Sequence, residues 1–146
     1  MKALVYVAAL APDTDEIIGE LTKDYPTEVF NHVEMADGFI WMTKDGIQKH
    51  FASDVPEAKS ELIYYKQGPA AAGLFGEKVA SPAWKEKKSC YIVAKNDEAI
   101  SPELQRIMSK RMGAEVTELA TSHVPMISQP NEVLSVIRQA IISAGS

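Results

Sequence analysis

A single cysteine, Cys90, in 146 residues excludes an internal disulfide framework and any zinc site built from several cysteines. Its place within an apolar stretch predicts a small buried core residue rather than a reactive thiol, which needs partial exposure and an electropositive setting. A lone thiol fits a reducing compartment, and a cytoplasmic location is expected. Positive charge is also scarce. With 15 Lys and Arg against 20 Asp and Glu, the formal charge is −5. No basic face is available to release phosphate counterions, so no nucleic-acid partner is expected. The short Lys85-Glu86-Lys87-Lys88 run reads as a solvated loop leading into a strand.

Long apolar runs are missing as well. After Met1-Lys2, the stretch ALVYVAALA has one charge before it and Ala9-Leu10-Ala11 in the manner of a signal-peptide cleavage site. It is too short to span a bilayer, which takes about 20 apolar residues. Its Val5-Tyr6-Val7 centre instead predicts a buried parallel strand, and no membrane association is expected. No internal repeat, low-complexity tract, Gly-rich phosphate loop, His-Glu-x-x-His pair or calcium loop is present, and no cofactor or metal is expected. His32 and His50 have no metal-ligand spacing and read as surface or pocket-edge residues.

What the sequence does contain is the composition of a globular α/β unit, 46% hydrophobic and 24% charged, long enough for one core. Residues 1–146 are read as a single unit. Residues 2–9 lack polar alternation, so both faces of this strand are expected to be covered. Asp13-Thr14-Asp15-Glu16 has the pattern of a capping box, with a helix expected to follow through Ile17, Ile18 and Leu21 and to end before Pro26. Asp37-Gly38, between β-prone arms, predicts a type I′ hairpin over residues 29–42.

A short helical piece is expected at 45–51. Asp54-Val55-Pro56-Glu57 then reads as a second capping box, opening a helix that runs to Gln67 and leaves at Gly68-Pro69; residues 70–75 are expected to add a turn or two of helix. Residues 13 to about 80 thus form an insertion, helical with one hairpin, which reads as a cap on a sheet. Its apolar residues Phe30, Phe39, Ile40, Trp41 and Met42 are core or lid residues, or the lining of a pocket for a small apolar ligand.

The last third is regular: a strand at 89–94, a helix with Ser101 as cap and Pro102 in its first turn ending at Gly113, a strand at 114–119, and an amphipathic helix from Pro130 to about residue 142. Val133, Leu134, Ile137 and Ile141 are expected on its inner face. The fold class is therefore α/β, with a parallel sheet of about three strands flanked by helices and a cap that contains a small hairpin.

In such a sheet ligands bind beyond the C-terminal ends of the strands. Asp97 follows the second strand and His123 follows the third. A carboxylate that accepts the imidazole Nδ1–H fixes the tautomer and leaves Nε2 free to take a proton from a serine. Asp97 and His123 are the candidate catalytic residues. Each has a plainer reading, Asp97 as a turn or cap residue beside Asn96 and Glu98, and His123 as a hydrogen-bonded structural histidine. No Gly-x-Ser-x-Gly elbow is present, and Ser122, beside His123, is a poor nucleophile because adjacent side chains point in different directions.

The segments LVYVAALAPDTDE, FASDVPEAK and SPAWKEKKSCYIVAKNDEAISPELQRIMSKRMGAEVTELATSHVPMISQPNEVLSVI, in that order, resemble the C-terminal half of small bacterial α/β-hydrolase-fold proteins, esterase-like and related to the plant hydroxynitrile lyase and methylesterase branch. The most specific part is Asp97-Glu98-Ala99-Ile100 with Ser122-His123-Val124, where that family carries its acid and its base. The resemblance implies that the family's nucleophile elbow and oxyanion loop would precede Met1. It further implies a truncated or split hydrolase-like protein without activity of its own, or else a non-catalytic module that binds a small ligand or a protein. The exposed strand at residues 2–9 would then pair with a second copy, giving a homo-oligomer, or with a separate N-terminal half.

Overall fold

The computed structural model describes residues 2–145. Three parallel strands, β1 (Ala3–Val7), β5 (Lys88–Ala94) and β6 (Glu115–Leu119), form one sheet in the order β1-β5-β6. The central strand β5 is buried on both faces from Ser89 to Ala94, as a run of apolar residues without alternation requires. On one side Cys90 and Ile92 pack with Leu119 against Val133, Val136 and Ala140 of helix α6 (Pro130–Gly145). On the other, Leu104 and Met108 of helix α4 (Pro102–Arg111) pack with Trp84 and Ala11, with Leu4 and Tyr6 of β1 beside them.

The segment expected to form a cap lies between β1 and β5 in sequence. Its hairpin forms as read, with β2 (Val33–Ala36) antiparallel to β3 (Phe39–Met42) and positive φ at both Asp37 (52°) and Gly38 (80°). Residues 70–75 do not continue as helix. Ala70–Ala71 pairs with β3 as β4, making a second, antiparallel sheet of three strands, and residues Ala72–Gly76 form a 3₁₀ turn. Pro69 ends the preceding helix α3 (Glu57–Lys66) and favours an extended approach. The Gln67 side chain completes the ladder, its Nε2 donating to the Met42 carbonyl at 3.0 Å and its Oε1 accepting the Met42 N–H at 3.0 Å.

Neither capping box caps a helix. Glu16 does accept the Asp13 N–H at 2.7 Å, but Asp15 has a φ of 63° and the first helix, α1, starts only at Ile18–Lys23. A residue in the left-handed region interrupts the helical path, and Glu16 turns to Arg111, which binds it through two nitrogens at 2.6 and 2.9 Å. Helix α3 starts at Glu57 with Pro56 in the cap position and no side-chain cap, because the Asp54 carboxylate is engaged elsewhere. Ser101 likewise makes no side-chain cap for α4.

The piece at 45–51 is a single helical turn, α2 (Lys44–Gly46), that widens into a π turn over Ile47–Phe51. Gly46 is required there, since a Cβ would stand 2.6 Å from the His32 Cβ and 2.9 Å from the His32 carbonyl oxygen.

The inner face of α6 is also rotated from its expected position. Val133, Val136 and Ala140 are buried, whereas Leu134, Ile137 and Ile141 are exposed. Both sets are apolar and lie one residue apart. The helix packs on β1 and β5, with Leu119 of β6 joining the contact, and part of its wide apolar stripe stays uncovered. This remainder borders the free edge of β1, where Ala3, Val5, Ile137 and Ile141 line an apolar cavity of about 450 Å³.

Candidate active site

Asp97 and His123 stand on the loops after β5 and β6, and parallel pairing in register (Ala94 opposite Leu119) brings these loops side by side. The pairing continues past the strands, with Lys95 N–H donating to the Leu119 carbonyl at 2.8 Å and Asn96 N–H to the Thr121 carbonyl at 3.1 Å. The result is a contact of 2.8 Å between His123 Nδ1 and Asp97 Oδ2. The Asp97 side chain is fully buried and the imidazole is 20% exposed.

A buried carboxylate needs donors, and Asp97 has four. Oδ1 accepts the N–H groups of Ala99 and Ile100 at 2.7 and 3.0 Å, and Oδ2 accepts from the Gln105 amide at 2.7 Å and from His123. Gln105 is itself fully buried. Its Oε1 accepts the Ala94 N–H at 3.0 Å and its Nε2 also donates to the Ile100 carbonyl at 2.7 Å, so one amide ties the end of β5, the acid and its loop to α4. Sequence reasoning missed Gln105. The available signal was a glutamine between Leu104 and Met108 on the apolar face of a helix.

The imidazole faces the cap. Its ring lies 4.7 Å from that of Phe51, and its backbone N–H donates to the Phe51 carbonyl at 3.2 Å. Together with Val29, Phe30, Ile40, Met42 and Phe75, both residues line a cavity of about 240 Å³. Gln67 also borders this cavity, but its amide is committed to Met42 and Tyr64. His123 is thus the polar group that an apolar occupant would meet.

Asn96 remains in the loop, and Glu98 turns away from the pair to His50, whose Nδ1 it contacts closely. His50 stacks on His32 with centroids 4.4 Å apart, and His32 lies 3.8 Å from Asp45. Among the described residues no group of His, Cys, Asp and Glu could hold a metal ion. The Ser122 hydroxyl is buried and donates to Asp54, and Ser60, Ser89, Ser109 and Ser128 donate to nearby backbone carbonyls. Burial pushes the Cys90 thiol above its ordinary pKa, and Glu115 adds to this. Burial likewise pushes up the phenol of Tyr91, which donates to the Ala9 carbonyl.

The sequence profile of the alpha/beta hydrolase family matches residues 1–136. The chain belongs to the alpha/beta hydrolase family. Solved structures with a similar fold include polyneuridine aldehyde esterase (TM-score 0.77, 18% identity, covering 95% of this chain and 62% of that one). An extracellular alpha/beta-hydrolase from a Paenibacillus species gives a TM-score of 0.75 at 17% identity, over 95% of this chain and 61% of that one. A pyrethroid hydrolase from Sphingobium faniae gives 0.72 at 18% identity, over 99% and 62%. The chain therefore spans about three-fifths of the length of these solved proteins. No curated protein matches it. Among the described residues no helix is long and apolar enough to cross a membrane.

Proposed function

We propose that this chain carries the acid and base of a serine-type ester hydrolase site, with Asp97 as acid and His123 as base, and that it does not turn over esters alone. The observation that carries this reading is the contact between Asp97 and His123 at the wall of an apolar cavity in a chain without a nucleophile elbow. Asp97 accepts the Nδ1–H, which leaves Nε2 as the nitrogen able to take a proton from an attacking hydroxyl and to return it to the leaving group. The imidazolium formed in between is stabilised by the buried carboxylate. A base without nucleophile or oxyanion donors loses most of the rate enhancement such sites provide.

The edge of β1 is the place where further structure would attach. The two edges of the sheet differ in kind: β6 carries Glu115 and Glu118, and Arg106 pairs with Glu118 through its guanidinium, whereas β1 reads Ala-Leu-Val-Tyr-Val without a charge. Charge on an edge blocks pairing and its absence invites it. A strand from a second copy, or from a separate N-terminal half that brings the nucleophile, pairs with β1 in this reading and covers the stripe of Ile137 and Ile141 as well.

An ester-hydrolysis assay on the purified chain and on His123→Ala tests the proposal. No turnover above background in either is expected; turnover that the substitution abolishes would show a complete site and overturn it. A second reading, a binding module for a small uncharged apolar ligand, is favoured by the cavity, whose one neighbouring amide is fully paired. Saturable quenching of the tryptophans by such ligands, unaffected by His123→Ala, distinguishes it.

A further inference from the structure

The sequence pattern assigned Asp54 to a helix cap, and the structure removes it from that helix without making it idle. Its Oδ2 accepts the Ser122 N–H at 2.9 Å, and its Oδ1 accepts the Ser122 hydroxyl. The next residue is His123, whose own N–H is bound by the Phe51 carbonyl at 3.2 Å. Two consecutive backbone donors of the base's loop are therefore held by one turn of the cap, residues 51–54. The contact is sealed by an apolar seam in which Ile47 and Ala52 of the cap and Val124 of the loop are buried together. Ser122 is fully buried although Asp54 lies at the surface, so the carboxylate reaches inward from the cap to a group with no access to water.

We infer that Asp54 is a positioning residue for His123, acting through Ser122 to fix the loop so that the imidazole meets Asp97. The inference rests on the role proposed above for the Asp97–His123 pair, but its evidence is the way the loop is held. Asp97 constrains the ring at Nδ1 only, and a ring on a loop still needs its backbone fixed to present Nε2 in one direction. The turn at 51–54 supplies this. A consequence is that the cap and the base move together. Displacing residues 51–54 frees the Ser122 and His123 amides and releases the imidazole from its carboxylate, so this part of the cap does not open as an independent lid.

The test uses the full chain and reads His123 by NMR, with no hydrolysis required. Asp54→Ala is expected to lose the low-field Nδ1–H resonance of His123, and to speed hydrogen exchange of the Ser122 and His123 amides at least about tenfold, while the Tyr91 and Ile92 amides of the central strand keep their protection. Asp54→Asn retains an acceptor for the Ser122 N–H and is expected to restore most of the resonance. Ser122→Ala removes only the hydroxyl bond and serves if Asp54→Ala does not fold; a partial, local loss of protection at residues 122 and 123 is expected. An unchanged Nδ1–H resonance with unchanged local exchange in Asp54→Ala, or in Ser122→Ala where the former does not fold, would overturn the assignment. Hydrolysis by the isolated chain would overturn the proposed function and leave this result standing.

Discussion

Gln105→Leu is the substitution whose cost the structure defines most fully. The side chain is fully buried and of similar volume to leucine, so packing changes little and the loss is polar. It leaves the Ala94 N–H and the Ile100 carbonyl without their Gln105 partners, and takes from the buried Asp97 carboxylate one of its four donors. A buried polar group left unpaired costs about 1–3 kcal/mol, and more when it is charged. Summed at the low end of that range over the three groups, the destabilisation is about 3 kcal/mol, a large part of the total stability of about 5–15 kcal/mol usual for a domain. Urea denaturation followed by tryptophan fluorescence measures it as a shift of midpoint at constant slope. A loss under about 1 kcal/mol, with the Asp97–His123 hydrogen bond still visible by NMR, would refute the view that Gln105 organises the acid. Gln105→Glu sharpens the test. Two carboxylates in contact raise the folded-state pKa of one of them, so the folded state holds an extra proton and stability falls as pH rises above about 4.3.

Three further predictions concern other parts of the molecule. The Cys90 thiol, raised chiefly by burial, should resist a thiol reagent at neutral pH in the folded chain and react at once in urea; its raised pKa also means that stability declines as pH rises through the ordinary thiol range. Glu16 is held below its ordinary pKa, first by its hydrogen bonds to Arg111, so this contribution is present above the ordinary carboxylate pKa and is lost as pH falls through the lowered one. Arg111→Ala should lower stability by about 1–3 kcal/mol at pH 7 and by less at pH 3, as measured by thermal unfolding at both. Ile141→Glu, at an exposed position beside the free edge of β1, should alter stability by less than about 0.5 kcal/mol yet weaken any self-association seen by light scattering; an unchanged mass distribution for an associated chain would argue against pairing at that edge.

How far the fold is legible in the sequence depends on whether local chemistry or distant partners decide each element. The Asp37-Gly38 hairpin needs positive φ at two successive residues, which is a local demand, and it forms where the dipeptide stands. Strand β5 is apolar from Cys90 to Ala94 and is buried on both faces there. Asp97 and His123 can be named because parallel strands with a helical crossover must end at one edge, and they lie in contact there. The side-chain oxygens of Asp13, Asp54 and Ser101 misled. Each has the residue type of a helix cap, but a cap competes with every other donor the fold brings near. The amide of Thr14 engages Asp13, and those of Asp54 are Ser122 donors 68 residues away.

What the sequence by itself determined, then, is the arrangement of βαβα units, the hairpin between β1 and β5, and the two residues delivered to the sheet's C-terminal edge. These follow from hydrophobic period and backbone preference, which act over a few residues. Only the tertiary structure decided which apolar face of α6 is covered, that Ala70–Ala71 extends the hairpin into a sheet, that Gln105 supports Asp97, and that Asp54 holds the loop of His123. The physical reason is the same in each case. A polar atom or an apolar stripe carries no record of its partner, and the choice among partners is made by burial, when water is excluded and each group must take whichever neighbour packing has placed within reach.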